Sequence, residues 1–185
     1  MRYPKDQKET TRQSLLAASG SFAKEHGFFS SGVDALASAA GVTSGALYRH
    51  FDGKAGLFSA VVDAEIEKSL DRFSHLPPEH PIEFEKAIAG YLSTKHVAKP
   101  SEGCMLPAMT AEVSRADGAT RQRFQEGVQE MKDLIGQFTR DEDAAWALLA
   151  QSVGAVMLAR AMTDESVQKE CLRAVRRNAS DLVKR

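Results

Sequence analysis

The stretch AAGVTSGALYRHFDGKAGLF, residues 39–58, constrains the fold more than any other part of the 185-residue chain. Gly41 divides two short helical segments, and the second opens on Thr43, Ser44, Gly45 and Ala46, all too small to pack against much. The spacing predicts a helix from Val33 to Ala40 and another from Ser44 to Phe51. Leu36, Ala37, Ala40, Val42, Leu47 and Phe51 turn inward. Two short helices joined in this way form a helix-turn-helix. The unpacked opening of the second helix lets its backbone approach the floor of a DNA major groove, with hydroxyls in reach of base edges or phosphates. Tyr48, Arg49 and His50 follow on successive angles and bring donors for phosphate oxygens or a base. Lys54 falls in the first turn of the next helix, where a cation opposes the helix dipole at a cost of about 0.3–1 kcal/mol. A phosphate docked at the same helix terminus reverses that cost.

Helical periodicity continues along the rest of the chain, and β-type alternation is absent. Asp6 and Glu9 have capping-box spacing ahead of a first helix, which Gly27 ends in a left-handed turn. Ser30 and Ser31 offer a cap for the second helix. A long helix is predicted from Lys54 to Ser74, and HLPPEHP stops it. Further helices are expected over Ile82–Val97, after Gly103, over Arg121–Phe138, after the acidic turn Asp141-Glu142-Asp143, and over Ser166–Lys184. The expected class is all-α with about nine helices. Residues 1–53 form a helix-turn-helix domain, and residues 54–185 a helical domain for ligand binding and dimerisation.

With 24 basic and 25 acidic residues the net charge is −1, which excludes a polybasic coat and requires any nucleic-acid contact to be local. Seven basic against five acidic residues in the first sixty give the amino-terminal part a small positive excess. Cys104 and Cys171 lack CxxC spacing and read as reduced thiols. From the polar amino terminus no signal peptide is expected, and no apolar run is read as approaching the roughly 20 residues of a membrane helix. A cytoplasmic protein is expected. The five histidines show no metalloprotease spacing, and no phosphate loop or nucleophile elbow occurs, so neither enzyme, metal nor cofactor is expected. A helical small-molecule-binding protein without DNA binding stays open as the alternative.

The segment AAWALLAQSVGAVMLARAM is apolar nearly all round, which a surface helix is not. We expect it to pair with the last helix and their symmetry mates in a four-helix homodimer interface. Trp146, Leu149, Ala150, Val153, Gly154, Met157, Leu158, Leu172, Val175 and Ala179 are the candidate contacts. A ligand pocket is expected among Phe58, Val61, Phe84, Ile88, Tyr91, Met105, Met109, Phe124 and Met131, apolar and thioether side chains on the middle helices. Cys104 joins them at the opening of a helix, a position that lowers a thiol's pKa.

The stretch GVTSGALYRHFDGKAGLF, preceded by GFFSSGVDALASAA, resembles the DNA-binding signature of the TetR family of transcriptional regulators over about residues 8–60. The resemblance implies an all-α homodimer that represses transcription from a palindromic double-stranded DNA operator until a small organic inducer releases it. By position, it implies base reading by Ser44, Gly45 and Ala46, and phosphate contacts by Tyr48, His50 and Lys54. Thr43 and Arg49 match positions that touch DNA in some members, and Ser31 matches a phosphate contact at the start of the second helix. Gly53 and Ala55 stand where relatives carry a capping polar residue and an acid, so the fourth helix is expected to start less firmly.

Overall fold

The computed structural model describes the backbone of residues 5–183 and the side chains from residue 8 onward. Ten α-helices and one 3-10 turn make up the described residues, one more than the expected nine. The extra helix has a local cause. Ile82–Val97 is not continuous, because the chain breaks after Tyr91 and Ser93 starts a new helix by accepting the His96 amide. We number the helices α1 (Lys5–His26), α2 (Val33–Ala39), α3 (Ser44–Leu47), α4 (Gly53–Ser74), α5 (Pro81–Tyr91) and α6 (Thr94–Ala98). The 3-10 turn Pro100–Glu102 follows, then α7 (Leu106–Val113), α8 (Gly118–Gly136), α9 (Glu142–Ala161) and α10 (Glu165–Leu182). The Asp6 half of the expected capping box and Lys184 lie outside the described side chains.

Three glycines set the amino-terminal unit. Gly27, Gly41 and Gly53 have φ of 78°, 70° and 70°, the left-handed region open to glycine at no steric cost. They close α1, turn α2 into α3, and turn α3 into α4. Leu15, Leu36, Leu47 and Leu57 meet beneath them, fully buried. Phe28 packs on Phe58 with ring centroids 4.8 Å apart, tying the α1–α2 turn to α4. Such short helices owe their stability to this packing rather than to propensity.

Caps follow the acidic residues. Asp117, Asp141 and Asp164 accept the amides of Thr120, Ala144 and Val167, and so start α8, α9 and α10. The hydroxyls of Ser30 and Ser31 do not cap α2, as the sequence suggested. They donate backwards to the His26 and Gly27 carbonyls at the end of α1, and Gly32 begins α2 without a side-chain cap. At α4 the expected weak start is present: Asp52 precedes it and makes no capping hydrogen bond.

The long α4 runs through both halves, packed on α1 at one end and along α8 beyond it. Gly127 of α8 makes that crossing close, since a Cβ there would stand 2.3 Å from a methyl of Ile66. The α9 helix is flanked by α7, α8 and α10. At 20 residues and a mean hydropathy of 1.3 it has the length and composition of a membrane span, which corrects the reading that no run approaches that size. The packing supplies the cause of its composition. Leu148, Ala155, Val156 and Ala159 face its own chain's core, while Trp146, Met157 and Leu158 form a second apolar stripe that is exposed.

Candidate nucleic-acid interface and effector cavity

The α3 helix is shorter than expected. It makes one regular turn, after which Arg49 and His50 donate to the Ala46 and Leu47 carbonyls in tighter i→i−3 bonds, and Phe51 donates to Leu47 four residues back. Thr43 is its cap, accepting the Ala46 amide at 3.3 Å through Oγ1. Acceptance leaves the Thr43 hydroxyl proton free to donate outward. Thr43, Gly45, Tyr48 and Arg49 are exposed, Ser44 and Ala46 half-buried. Leu47 anchors the turn from below, fully buried.

Gly45 has no reason within the chain to lack a side chain. A Cβ built on it meets nothing nearer than the Thr43 hydroxyl at 4.0 Å, and its φ is not left-handed. Glycine in a helix costs about 1 kcal/mol relative to alanine. The unfilled space lies outside, on the face that Tyr48 and Arg49 border.

His50 is half-buried, with its Nδ1 buried and unpartnered. Burial lowers its pKa, and the cations Lys8 and Arg12 of α1 lower it further. Arg12 also lies over the Phe51 ring, 5.3 Å from its centroid. The face therefore carries the cations Lys8, Arg12 and Arg49 near the imidazole, with Glu9 as the opposing charge on α1. Lys8 and Arg12 escaped the sequence reading because they sit a whole helix away in the chain.

Two residues expected to reach outward are tied inward. The Lys54 ammonium donates to the carbonyls of Phe29 at 3.0 Å and Ser31 at 2.7 Å, and lies over the Phe28 and Phe29 rings. It brackets the α1–α2 turn rather than standing free in solvent. Ser31 is buried, and its hydroxyl donates to Gly27.

That turn is gripped from the other side too. Glu112 of α7 accepts the Phe28 and Phe29 amides at 3.0 and 2.8 Å. Deeper in, Lys24 of α1 pairs with Glu65 of α4 at 2.7 Å, with side chains 0% and 5% exposed. Its ammonium also donates to the Gly103 carbonyl at 3.1 Å. Burial lowers the Lys24 pKa, and the hydrogen bond and charge of Glu65 oppose that shift.

Gly103 and Cys104 form part of the wall of a cavity of about 440 Å³ between α4, α5, α6, α8 and α9. Ile88, Tyr91, Cys104 and Met131 line it, as expected. The other six expected residues do not. Phe58, Val61, Phe84, Met105 and Met109 are sealed in the core, where Phe84 stacks on Phe138 at 4.3 Å, and Phe124 packs against that core from its edge. Sequence spacing gives the inward side of a helix but not which inward residues border a void. The lining that was missed includes the apolar Phe73, Ile135 and Leu148 and the polar Ser69, Arg72, Lys95, His96 and Ser152.

Cys104 precedes α7 instead of opening it, and is fully buried. Burial pushes its thiol pKa up, against the lowering expected from a helix terminus. Its amide donates to His96 Nε2 at 3.1 Å, while the other ring nitrogen faces the Tyr91 carbonyl at 2.7 Å. A carbonyl only accepts, so His96 is the neutral Nδ1–H tautomer. Burial lowers its pKa, and the cations Arg160, Arg72 and Lys24 add to the shift.

Of the expected interface residues, Leu149, Leu172 and Ala179 are buried in their own protomer and do not reach its surface. Trp146, Met157 and Leu158 are exposed at 42%, 43% and 57%, and Ala150 is exposed beside them. Val153, Gly154 and Val175 are half-buried, and a Cβ on Gly154 would meet nothing within 4 Å. Val167, on the same helix as Val175, is 44% exposed.

Residues 15–61, from the inner half of α1 into α4, match the model of bacterial regulatory proteins of the tetR family. An HTH-type transcriptional repressor, BepR of Brucella suis biovar 1 (strain 1330), is 34% identical over 89 residues. That alignment spans 45% of this chain and 43% of the relative, less than half of each. The whole fold is similar to Escherichia coli NemR in its reduced form, with a TM-score of 0.75 at 20% identity over 95% of this chain and 97% of that one. It is also similar to a TetR regulator from Chloroflexus aurantiacus J-10-FL, with a TM-score of 0.74 at 21% identity over 96% and 98%. The helix-turn-helix of residues 15–61 is thus that of the tetR family of bacterial regulatory proteins, and over the rest of the chain the likeness is one of fold.

Proposed function

We propose that the protein is a homodimeric repressor that binds a palindromic DNA operator and leaves it when a small organic molecule fills the cavity. The observation that carries the DNA half is Gly45, small for no internal reason, at the exposed opening of a helix on the face that carries Lys8, Arg12 and Arg49. Ser44, Gly45 and Ala46 read base edges. Thr43, Tyr48, Arg49 and His50 hold the phosphate rails. Lys54 and Ser31 act from behind by fixing the turn that carries α2, and the third proton of the Lys54 ammonium stays available for a phosphate.

The second protomer meets the Trp146–Leu158 stripe, where Gly154 lets a helix come close. Two recognition helices then face successive major grooves about 34–36 Å apart. A ligand that displaces the Gly103–Cys104 wall pulls on Lys24 and, through α7, on Glu112, and so moves α1 and the α2 turn. Ligand and operator weaken each other's binding by the same factor.

Selection of bound sequences from random duplexes, followed by titration at several salt concentrations, tests this reading. A two-fold symmetric sequence is expected, with Ser44→Ala and Gly45→Ala changing the preferred bases at a cost of about 1–3 kcal/mol for each lost base contact. If the enriched pool shows no preference over a random duplex, the reading fails.

A further inference from the structure

Among the described residues, the buried side-chain polar atoms without a hydrogen-bond partner include the Tyr91 hydroxyl and the Ser152 Oγ, and both residues line this same cavity. A buried hydroxyl left unpaired costs about 1–3 kcal/mol, so two around one void are placed for something that enters it. The Tyr91 hydroxyl lies beside the Cys104 thiol, a weak acceptor that leaves it without a partner of hydrogen-bond geometry. Arg72, whose guanidinium donates to the Glu102 carbonyl at 2.7 Å, and Lys95 line the cavity as well. The lining carboxylate is Glu102, which Lys99 holds at 2.8 Å. Arg160, with two guanidinium nitrogens buried and unpartnered, adds a third cation behind His96. The charges that bear most on His96 are the cations Arg160, Arg72 and Lys24. The apolar part of the lining includes Ile88, Met131 and Leu148.

We propose that the cavity takes an amphipathic organic carboxylate, its acid group received by Tyr91, Arg72 and Lys95 and its apolar body held against Ile88, Met131 and Leu148. A volume of about 440 Å³ is that of a small-molecule site. Ser152, on α9 one turn beyond Leu148, meets a polar substituent on the body. A neutral ligand would leave the cations unmatched, and a cationic one would be repelled. This inference rests on the effector-cavity reading above and supplies its ligand class.

Three probes with one skeleton separate the two: 1-naphthoate, 1-naphthylmethanol and 1-naphthylmethylammonium, titrated calorimetrically into the full chain without DNA. The naphthoate is expected to bind at least about tenfold more tightly than the alcohol, with no binding of the ammonium. Tyr91→Phe and Arg72→Gln should each weaken the naphthoate by about tenfold, the loss of one charge-assisted hydrogen bond, and leave the alcohol unchanged. Arg72→Lys should restore part of the affinity. Alcohol or ammonium binding as tightly as naphthoate overturns the carboxylate class and leaves the cavity standing. Failure of all three to bind overturns both.

Discussion

The joints of the helix-turn-helix unit and the walls of the cavity treat buried charge in opposite ways, although Ser19 Oγ and His50 Nδ1 of the first unit are unpartnered too. Around the first, each charge brought inside is matched. Lys24 has Glu65 and a carbonyl, Lys54 has two carbonyls, and Glu112 has two amides. Around the second, Tyr91, Ser152 and Arg160 carry polar atoms with no partner. Matched groups fix a geometry, because any displacement leaves a charge unpaired in a medium of low dielectric. Unmatched groups leave a place where another molecule lowers the free energy. The contrast teaches where the molecule is stiff and where it is receptive. It also explains why the stiff joints lie between the two units, on the path from cavity to DNA face.

The sharpest way to break this contrast is to remove a matched partner. Glu65→Leu leaves the Lys24 ammonium buried without its counter-charge, and unfolding free energy should fall by about 3–5 kcal/mol. Gly20, whose Cβ would touch Glu65 at 2.9 Å, shows that α1 is shaped around this pair. Urea denaturation measures the change. A loss below about 1 kcal/mol would mean that the pair is not a stiff joint.

Glu112→Ala comes next, at about 1–3 kcal/mol for two amides left without their acceptor. Its effect on DNA carries a sign that separates two accounts. Removing an acid near a nucleic-acid face strengthens binding if bulk charge alone decides. If Glu112 instead holds the α1–α2 turn, operator affinity falls although the protein has become more positive. Fluorescence anisotropy on the selected operator distinguishes the two, and tighter binding by the variant defeats the joint.

These two regions also differ in how much of them the sequence disclosed. Recognition of a groove needs a turn, a small opening and flanking donors at fixed local spacing, so Gly41, Gly45 and Tyr48 were readable within a dozen residues. The helices and their breaks were readable for the same local reason, apart from the division at Leu92–Ser93, where a serine cap won over apolar periodicity. The cavity was not, since a void is the absence of atoms between five helices and no spacing encodes it. Lys54 shows the intermediate case. Its position in the first turn was visible, but the carbonyls that claim its ammonium lie 25 and 23 residues away. The misplacement of Cys104 arose likewise: Pro107 puts the start of α7 at Leu106, and burial then raises the thiol pKa that a helix terminus would have lowered.

The smallest effect is a pH dependence set by His96, and it tests whether the cavity wall is tuned to stay neutral. The ring donates to Tyr91 through Nδ1 and accepts from Cys104 through Nε2, so a second proton has no place without breaking the Cys104 bond. Its folded pKa is lowered by burial and by Arg160, Arg72 and Lys24, while the unfolded value stays near the ordinary 6.5. Above 6.5 both states are neutral and the group adds no slope. As pH falls below 6.5 the unfolded chain takes up a proton that the folded chain refuses, so stability falls through that window. One proton sets a limit of about 1.4 kcal/mol per pH unit, and partial exposure of the ring lowers the effect below it. Urea midpoints of the wild type and His96→Gln, taken from pH 7.5 to 5.5, isolate this contribution from the lowered His50, which both proteins share. The wild type should lose stability more steeply than the variant below pH 6.5, and parallel curves would show that the wall admits the proton.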